Sequence, residues 1–252
     1  MSRLLIVEDD EQLLFILSKS LENVGYKTLM AKNGDEGIEL LNQYQDIDLV
    51  VTDLMMPVVD GIQLCNFIRS KPEYEYLPIL IITGQSDIYY KCQGFNAGAD
   101  DYITKPVEFV EFMLRVKALL KRNHRFTPKF QNDLANDENL VRTDNQKNSD
   151  KGILLKLDKN TSKITVNSKE VYLTSTEFEI INYLLQKKQE PTNTEEFLEK
   201  LMNYPHGAGN PVAIRTHIRN IRSKIEKDPN NPEIIINIPK RGYILNTKNI
   251  ST

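Results

Sequence analysis

The sequence predicts two domains of different class: a doubly wound α/β domain with a five-stranded parallel sheet, and a smaller α+β domain after it. Over residues 1–122, short apolar runs alternate with segments of helical periodicity. Repeated βα units of this kind are typical of a parallel sheet that carries helices on both faces. Over residues 152–248, three short strand-like runs precede three helical segments and a hairpin, which is typical of a small α+β domain.

The elements of the first domain follow from the spacing of its apolar residues. Its first helix, for example, places Leu14, Leu17 and Leu21 on one face. The predicted strands are 3–8, 27–31, 48–53, 78–83 and 102–104. The predicted helices are about 10–24, 35–44, 61–70, 86–97 and 107–122.

The elements of the second domain are marked by cap and turn residues. Asn210 suits the N-cap of a helix and Pro211 suits its first position, while Thr174 or Ser175 suits the cap of an earlier helix. The predicted strands are 153–157, 163–167 and 171–173, with a final hairpin of 233–238 and 243–245. The predicted helices are about 175–187, 194–202 and 211–226.

The charge is divided unequally along the chain. Residues 1–122 carry 12 Lys and Arg against 19 Asp and Glu, whereas residues 152–252 carry 15 against 11. An acidic first domain and a basic second domain indicate different partners for the two domains. The interval 123–151 is dominated by polar residues, so it is predicted to be a flexible linker that does not couple the domains rigidly.

The composition also indicates a compartment. No apolar stretch approaches the ~18 residues of a membrane-spanning helix, so no membrane contact is expected. Cys65 and Cys92 share no motif, which favours a reducing environment and small apolar packing roles over a metal site. We therefore expect a cytoplasmic protein.

Charged or reactive side chains follow the predicted strands at one edge of the first sheet. Glu8 ends the first predicted strand and Asp9 follows it. Asp53 and Thr83 end the third and fourth strands, and Lys105 follows the fifth. The carboxyl ends of parallel strands form the crevice where such sheets bind ligands. Three carboxylates there repel one another unless a cation lies among them, and their oxygens suit Mg²⁺. Asp53 could then attack phosphorus, with Lys105 and Thr83 holding the phosphoryl oxygens.

With these residues in place, the first domain resembles the receiver domain of bacterial response regulators, whose fold is flavodoxin-like. The resemblance implies that Asp53 is a phosphoacceptor served by a sensor histidine kinase, and that the peptide bond before Pro106 is cis. It also implies that Asp10 caps a helix and does not bind metal. The implied Mg²⁺ ligands are Glu8, Asp9, Asp53 and the Met55 backbone carbonyl. The motifs that carry the resemblance are Leu5-Ile6-Val7-Glu8-Asp9-Asp10, Asp53-Leu54-Met55-Met56-Pro57 with Asp60-Gly61, Thr83-Gly84, and Gly98-Ala99-Asp100-Asp101-Tyr102-Ile103-Thr104-Lys105-Pro106.

The receiver resemblance also implies a switch and a dimer surface. Thr83 and Tyr102 match a switch pair, in which the hydroxyl moves onto the phosphoryl group and the aromatic ring turns inward. Charges on the fourth and fifth helices match positions that pair across a two-fold dimer in one receiver subfamily; the alternative for them is an ordinary solvated surface. These residues are Lys91, Asp100, Asp101, Glu111, Arg115 and Arg122. The implied pairs are Lys91–Glu111 and Asp101–Arg115.

The helix predicted at 211–226 separates apolar from basic residues. One face carries Ile214, Ile218, Ile221 and Ile225. Arginines suit guanine or phosphate in a major groove and asparagine suits adenine, while the predicted hairpin tip suits the minor groove. A solvated helix face is the alternative. The predicted DNA contacts are Arg215, Thr216, Arg219, Asn220, Arg222, Lys240 and Arg241.

The second domain resembles the winged-helix effector domain of the OmpR/PhoB subfamily. The motifs are Leu173-Thr174-Ser175-Thr176-Glu177-Phe178-Glu179-Ile180, His217-Ile218-Arg219-Asn220-Ile221-Arg222-Ser223-Lys224-Ile225, and Arg241-Gly242-Tyr243-Ile244-Leu245. The chain departs from the subfamily at Arg215, where aspartate is usual, and at Met202-Asn203, where a tryptophan is usual. These departures leave the DNA sequence that it recognises open.

Together the two resemblances imply a phosphorylation-dependent transcriptional regulator. It would accept a phosphoryl group on Asp53, dimerise, and bind tandem half-sites of promoter DNA, with RNA polymerase as a candidate partner. No enzymatic turnover is expected beyond self-catalysed phosphoryl transfer and dephosphorylation. The alternative is a receiver-controlled scaffold that signals by protein contacts and binds DNA weakly. The basic residues of the second domain argue against that alternative.

Overall fold

The computed structural model has both predicted domains. The predicted linker, 123–151, lies outside the described residues except for its first two, which extend the last helix of the first domain to His124. None of the described helices is long and apolar enough to cross a bilayer. The structure describes residues 1–74, 76–85, 88–124, 153–158, 163–166, 169–207, 209–246 and 250–251.

The first domain has one five-stranded parallel sheet. Its strands are β1 (Arg3–Val7), β2 (Lys27–Ala31), β3 (Ile47–Thr52), β4 (Ile79–Thr83) and β5 (Asp101–Thr104). Its helices are α1 (Glu11–Asn23), α2 (Gly34–Gln43), α3 (Gly61–Ser70), α4 (Ile88–Asn96) and α5 (Phe109–His124). The strand order is β2-β1-β3-β4-β5, so β3 is central and Asp53 follows it directly.

Both faces of this sheet are buried, which confirms the doubly wound prediction. Successive side chains of a strand point to opposite faces. Leu4 and Ile6 pack with α1 and α5, whereas Leu5 and Val7 pack with α2, α3 and α4. All four are at most 1% exposed. A strand that is buried on both sides needs a continuous apolar run. This explains why the positions of the strands could be predicted from the sequence.

Short polar motifs fix the loops that leave the strands. Asp10 accepts hydrogen bonds from the backbone of Gln12 and Leu13, so it caps α1 as predicted. Asp60 caps α3, and caps of this kind typically contribute about 1 kcal/mol. A Cβ on Gly61 would lie 2.1 Å from the carbonyl oxygen of Asp53. Only glycine therefore lets α3 begin this close to the end of β3.

The described residues of the second domain form a four-stranded sheet, three helices and a hairpin. Its strands are β6 (Ile153–Asp158), β7 (Lys163–Val166), β8 (Lys169–Tyr172), β9 (Ile235–Ile238), β10 (Gly242–Leu245) and β11 (Ile250–Ser251). Its helices are α6 (Ser175–Gln186), α7 (Thr194–Lys200) and α8 (Pro211–Ile225). The sheet order is β11-β6-β7-β8, and β9 pairs with β10 as the predicted hairpin. The two-residue β11, parallel to β6, was not predicted.

The predicted apolar stripe of α8 forms the centre of the second core. Ile214, Ile218, Ile221 and Ile225 are buried against α6, α7 and the hairpin. Each such side chain contributes roughly 1.5–3 kcal/mol by leaving water. Thr174 caps α6 and Asn210 caps α8, with Pro211 at the first position, as predicted.

The two domains contact each other. Ala213, at the start of α8, belongs to the buried apolar cluster of the first domain, and α8 packs along α4. The composition of the linker had suggested that the domains are not rigidly coupled. A flexible linker permits independent movement but does not prevent docking, because contact surfaces on the folded domains decide that.

Candidate functional site

The carboxyl ends of β1, β3 and β5 bring three predicted residues into one pocket. The Lys105 ammonium lies 2.7 Å from Glu8 Oε1 and 2.6 Å from Asp53 Oδ2. Glu8 and Asp53 are buried and Asp9 is exposed. Carboxylate oxygens of Glu8, Asp9 and Asp53 lie within 4.8 Å of one another. The peptide bond between Lys105 and Pro106 is cis, as predicted.

Backbone hydrogen bonds set the position of these side chains. The Asp53 N–H donates to the Val7 carbonyl at 2.9 Å, and the Lys105 N–H donates to the Thr83 carbonyl at 2.9 Å. The Met55 N–H donates to Asp53 Oδ1 at 3.1 Å. Asp53 thus meets a donor at each oxygen, which holds the carboxylate in one orientation.

Burial and neighbouring charges shift the pKa of two groups in the pocket. Burial raises the pKa of Glu8, and the ammonium of Lys105 offsets part of that rise. Burial alone would lower the pKa of Lys105, but its hydrogen bonds to Asp53 and Glu8 raise it above the usual value. Lys105 is therefore a fixed positive charge between two carboxylates. With the exposed Asp9 beside them, these residues form an all-oxygen donor set that fits Mg²⁺.

The predicted switch residues are joined through one backbone segment. The Gln85 N–H donates to the Thr83 hydroxyl at 3.3 Å, and the Tyr102 hydroxyl donates to the Gln85 carbonyl. Burial, and secondarily the charge of Asp53, raise the pKa of Tyr102, so its hydroxyl stays protonated. The Tyr102 ring also lies 6.3 Å, between centroids, from the ring of Phe95 on α4. Thr83 is thus linked to Phe95 of α4 through the backbone of Gln85 and the ring of Tyr102.

The predicted dimer residues form contacts within the chain. Arg115 Nη2 lies 3.1 Å from Glu111 Oε1, and Arg115 Nε lies 3.6 Å from Asp101 Oδ2. Lys91, which was predicted to pair with Glu111 of a second copy, lies over the Tyr102 ring of its own chain. Asp100 turns inward, where it accepts a hydrogen bond from Arg69 at 2.9 Å. Arg122 lies within α5, and its side chain falls outside the described residues.

The predicted DNA contacts separate into exposed and engaged residues. Arg215, Lys240 and Arg241 are exposed. The guanidinium of Arg222 donates to the carbonyl of Ile235 at 2.7 and 3.1 Å, inside its own domain. The remaining predicted contacts lie where α8 faces the first domain: Thr216 is buried, Asn220 is half-buried, and Arg219 is exposed but donates to the Asn96 side chain.

A glycine shapes the hairpin tip that carries the exposed cations. Gly242 has φ +110°, and a Cβ there would lie 2.1 Å from the carbonyl oxygen of Thr192. Tyr243 and Thr192 exchange two backbone hydrogen bonds of 2.8 and 2.9 Å. The tip that carries Lys240 and Arg241 is thereby anchored to the domain and projects away from its core.

Sequence reasoning missed the residues that join the two domains. Phe95, Asn96, Ala213 and Tyr204 all lie in that contact. None belongs to a chemical motif. The sequence of α8 does contain a second stripe of small and polar residues beside its isoleucine stripe. Such a stripe can indicate a contact, but it does not identify the surface that covers it.

Comparisons with known proteins cover both domains. Residues 4–117 match the family described as response regulator receiver domain, and residues 168–245 match the family described as transcriptional regulatory protein, C terminal. The chain is 33% identical over 245 residues to the DNA-binding dual master transcriptional regulator RpaA of Synechocystis sp., covering 97% of this chain and 95% of that protein. It is 32% identical over 241 residues to the uncharacterized transcriptional regulatory protein YrkP of Bacillus subtilis, covering 96% of each.

The fold is similar to that of a solved protein over nearly the whole of both chains. The structure of a RitR mutant aligns with a TM-score of 0.69 and 20% identity over 97% of this chain and 99% of that chain. At this identity the likeness concerns the fold alone.

Proposed function

Since the chain belongs to the response regulators that join a receiver domain to a C-terminal domain of the OmpR/PhoB type, it is a phosphorylation-dependent transcriptional regulator, and we propose that Asp53 accepts the phosphoryl group. The match of residues 168–245 to a transcriptional regulatory domain does not favour the scaffold alternative. The observation that carries the proposal is the Lys105 ammonium held between Glu8 and Asp53.

The phosphoryl donor is proposed to be a sensor histidine kinase. An Asp53 oxygen forms the new bond to phosphorus while the bond from phosphorus to the kinase imidazole breaks, and that imidazole takes up a proton. Lys105 and the Thr83 hydroxyl bind phosphoryl oxygens of the product, so catalysis is mainly positioning and charge stabilisation. Glu8, Asp9, Asp53 and the Met55 carbonyl would hold Mg²⁺, which neutralises charge on the phosphoryl group. No other turnover is proposed than this transfer and dephosphorylation of Asp53.

The output is proposed to be a homodimer on tandem promoter half-sites. Two α8 helices joined through their receiver domains bind adjacent sites at a raised effective concentration, which strengthens binding without new contacts. RNA polymerase is the candidate protein partner at the promoter. With this function, the proposed location of the chain is the cytoplasm.

Phosphorylation is expected to raise DNA affinity. DNA would be selected from a random pool with protein treated with acetyl phosphate and Mg²⁺, and binding would then be measured with treated and untreated protein. Linking two binding modules can increase affinity by roughly 100-fold or more, so a change of that order is expected. Equal affinities of the two forms for the selected DNA would contradict the proposed function.

Charge reversal on α5 is expected to weaken the phosphorylated dimer. Glu111→Lys places a cation where Lys91 of a second copy is proposed to pair, and like charges in an interface oppose association. Sedimentation should show a dimer constant about an order of magnitude weaker, and adding Lys91→Glu should restore part of it. Lys117→Glu, an exposed reversal on the same helix, serves as the control. Unchanged dimers of both Glu111→Lys and Lys91→Glu would exclude these pairs.

A further inference from the structure

A second group of side chains that can bind a metal ion lies in the second domain. Glu195 and Glu199 lie on α7, and His206 lies in the loop between α7 and α8. Two carboxylate oxygens and a ring nitrogen of these residues lie within 4.8 Å of one another. His206 Nδ1 lies 2.5 Å from Glu199 Oε1 and 3.3 Å from Glu195 Oε1. Three donor atoms from two segments of the chain therefore converge on one point.

The helical spacing of α7 brings the two carboxylates together. Residues four positions apart lie on the same face of a helix, one turn from each other, so Glu195 and Glu199 project side by side. Asn193 caps the helix by accepting from the Glu196 N–H at 2.8 Å. The Glu196 carboxylate itself points elsewhere, because it pairs with Lys187 at 2.5 Å. The cluster thus contains the two glutamates of one helix face and not their neighbour.

The loop after α7 returns to this face and brings His206 with it. The Tyr204 N–H donates to the Leu198 carbonyl at 3.0 Å, which holds the start of the loop against the helix. The Gly207 N–H donates to Glu195 Oε1 at 3.2 Å, and Gly207 has φ +72°. Backbone donors of this kind orient a carboxylate that binds a metal ion. Both sides of His206 are therefore tied to α7.

The negative charge of the cluster is not balanced by basic side chains. Within the part of the chain that the structure describes, the ion pairs of Glu195 and Glu199 involve only His206. With a neutral imidazole the cluster carries two negative charges, and with a protonated one it still carries one. Carboxylates this close repel each other unless a cation lies among them. A divalent ion satisfies both carboxylates and the ring nitrogen together.

We propose that Glu195, Glu199 and His206 bind a divalent transition-metal ion, with Zn²⁺ as the best fit. One imidazole nitrogen and two carboxylate oxygens are ligands that Zn²⁺ takes in four-coordinate sites, where water occupies the fourth position. The imidazole favours Zn²⁺ over Mg²⁺ and Ca²⁺, which take oxygen ligands. Bonds of about 2.0–2.2 Å from Zn²⁺ to nitrogen and oxygen require only small rotations of these three side chains.

The proposed ion would fasten the loop to α7 beside the start of α8. His206 lies four residues before Asn210, which caps α8. An ion that joins residues 195, 199 and 206 restricts the whole connection between the two helices. An ion that binds the folded chain and not the unfolded chain also stabilises the fold by mass action. The site goes beyond the proposed function, because it lies outside the phosphorylation pocket and takes a different metal.

Zinc titration of the full-length chain tests this site. Excess Mg²⁺ is present throughout, so that the carboxylates of Glu8, Asp9 and Asp53 are occupied. Calorimetry of the wild type should show one equivalent of bound Zn²⁺. Glu195→Gln and His206→Gln should each weaken this binding by about tenfold or more, since even residues that only orient metal ligands cost that much. His124→Gln is the matched control, because it removes a histidine at the end of α5, outside the cluster.

Thermal unfolding gives a second measurement on the same proteins. Saturating Zn²⁺ should raise the unfolding midpoint of the wild type and of His124→Gln by roughly 5–10 °C, and a chelator should reverse the rise. Glu195→Gln and His206→Gln should show no rise, although their midpoints without Zn²⁺ match the wild type. Matching midpoints establish that these variants fold.

The outcomes separate the proposal from an ordinary ion pair. Loss of Zn²⁺ binding in both cluster variants and not in His124→Gln supports the site. Absence of binding by the wild type, or equal binding by all four proteins, overturns it and leaves only the ion pair of His206 with Glu199. Neither result bears on phosphorylation or on DNA binding, so failure of this proposal is distinct from failure of the proposed function.

Discussion

Replacing Asp53 with asparagine is expected to abolish phosphorylation. After incubation with acetyl phosphate and Mg²⁺, intact mass of the wild type should show one added phosphoryl group, and Asp53→Asn should show none. The amide cannot supply the anionic oxygen that attacks phosphorus. It also removes one of the three carboxylates of the proposed Mg²⁺ site. The effect is therefore total, whereas changes at the supporting residues only slow the reaction.

Asp60→Asn is the matched control for this experiment. Asp60 lies seven residues after Asp53 and caps α3, and asparagine caps a helix about as well as aspartate does. This variant should keep the mass shift and the fold. A full-yield adduct on Asp53→Asn, or loss of the adduct from Asp60→Asn with Asp53 intact, would contradict the assignment of the phosphoacceptor.

The proposed phosphorylation pocket could be predicted because the ends of the strands determine where its residues lie. Each strand of a buried parallel sheet can be recognised as an apolar run, and the residue after the run lies at the carboxyl edge of the sheet. Glu8, Asp53 and Lys105 follow three such runs, and the structure places their side chains together. No distant contact had to be inferred to bring them there.

The docking of the domains could not be predicted in this way. Phe95 and Asn220 are 125 residues apart and meet through a backbone carbonyl, which no residue pattern records. In the sequence of α8, Asn220 is a polar residue outside the isoleucine stripe. A residue that contacts DNA and a residue that contacts the first domain would both fit that description. The contact of Arg222 could not be predicted from the sequence either. Its contact with the Ile235 carbonyl depends on where β9 lies, not on the periodicity of the helix.

Asn220→Ala and Lys240→Ala are expected to weaken DNA binding in different ways. The proposed contact of Asn220 is to adenine, so its loss should cost about 1–3 kcal/mol on the selected DNA and little on scrambled DNA. Lys240 is exposed at the hairpin tip and is proposed to contact phosphate. Its loss should weaken both DNAs alike and lower the salt slope by roughly one. Both variants are measured after phosphorylation, since that is the form proposed to bind DNA.

Arg222→Ala separates a DNA contact from a contact that maintains the domain. Arg222 was predicted to contact DNA, but its guanidinium donates twice to the Ile235 carbonyl. Removing it leaves that partly buried carbonyl without its donor, which typically costs about 1–3 kcal/mol of stability. We therefore expect a lower unfolding midpoint with an unchanged salt slope, whereas Lys240→Ala should change the slope and not the midpoint. Equal losses of both DNAs in Asn220→Ala, or an unchanged slope in Lys240→Ala, would show that this division of roles is wrong.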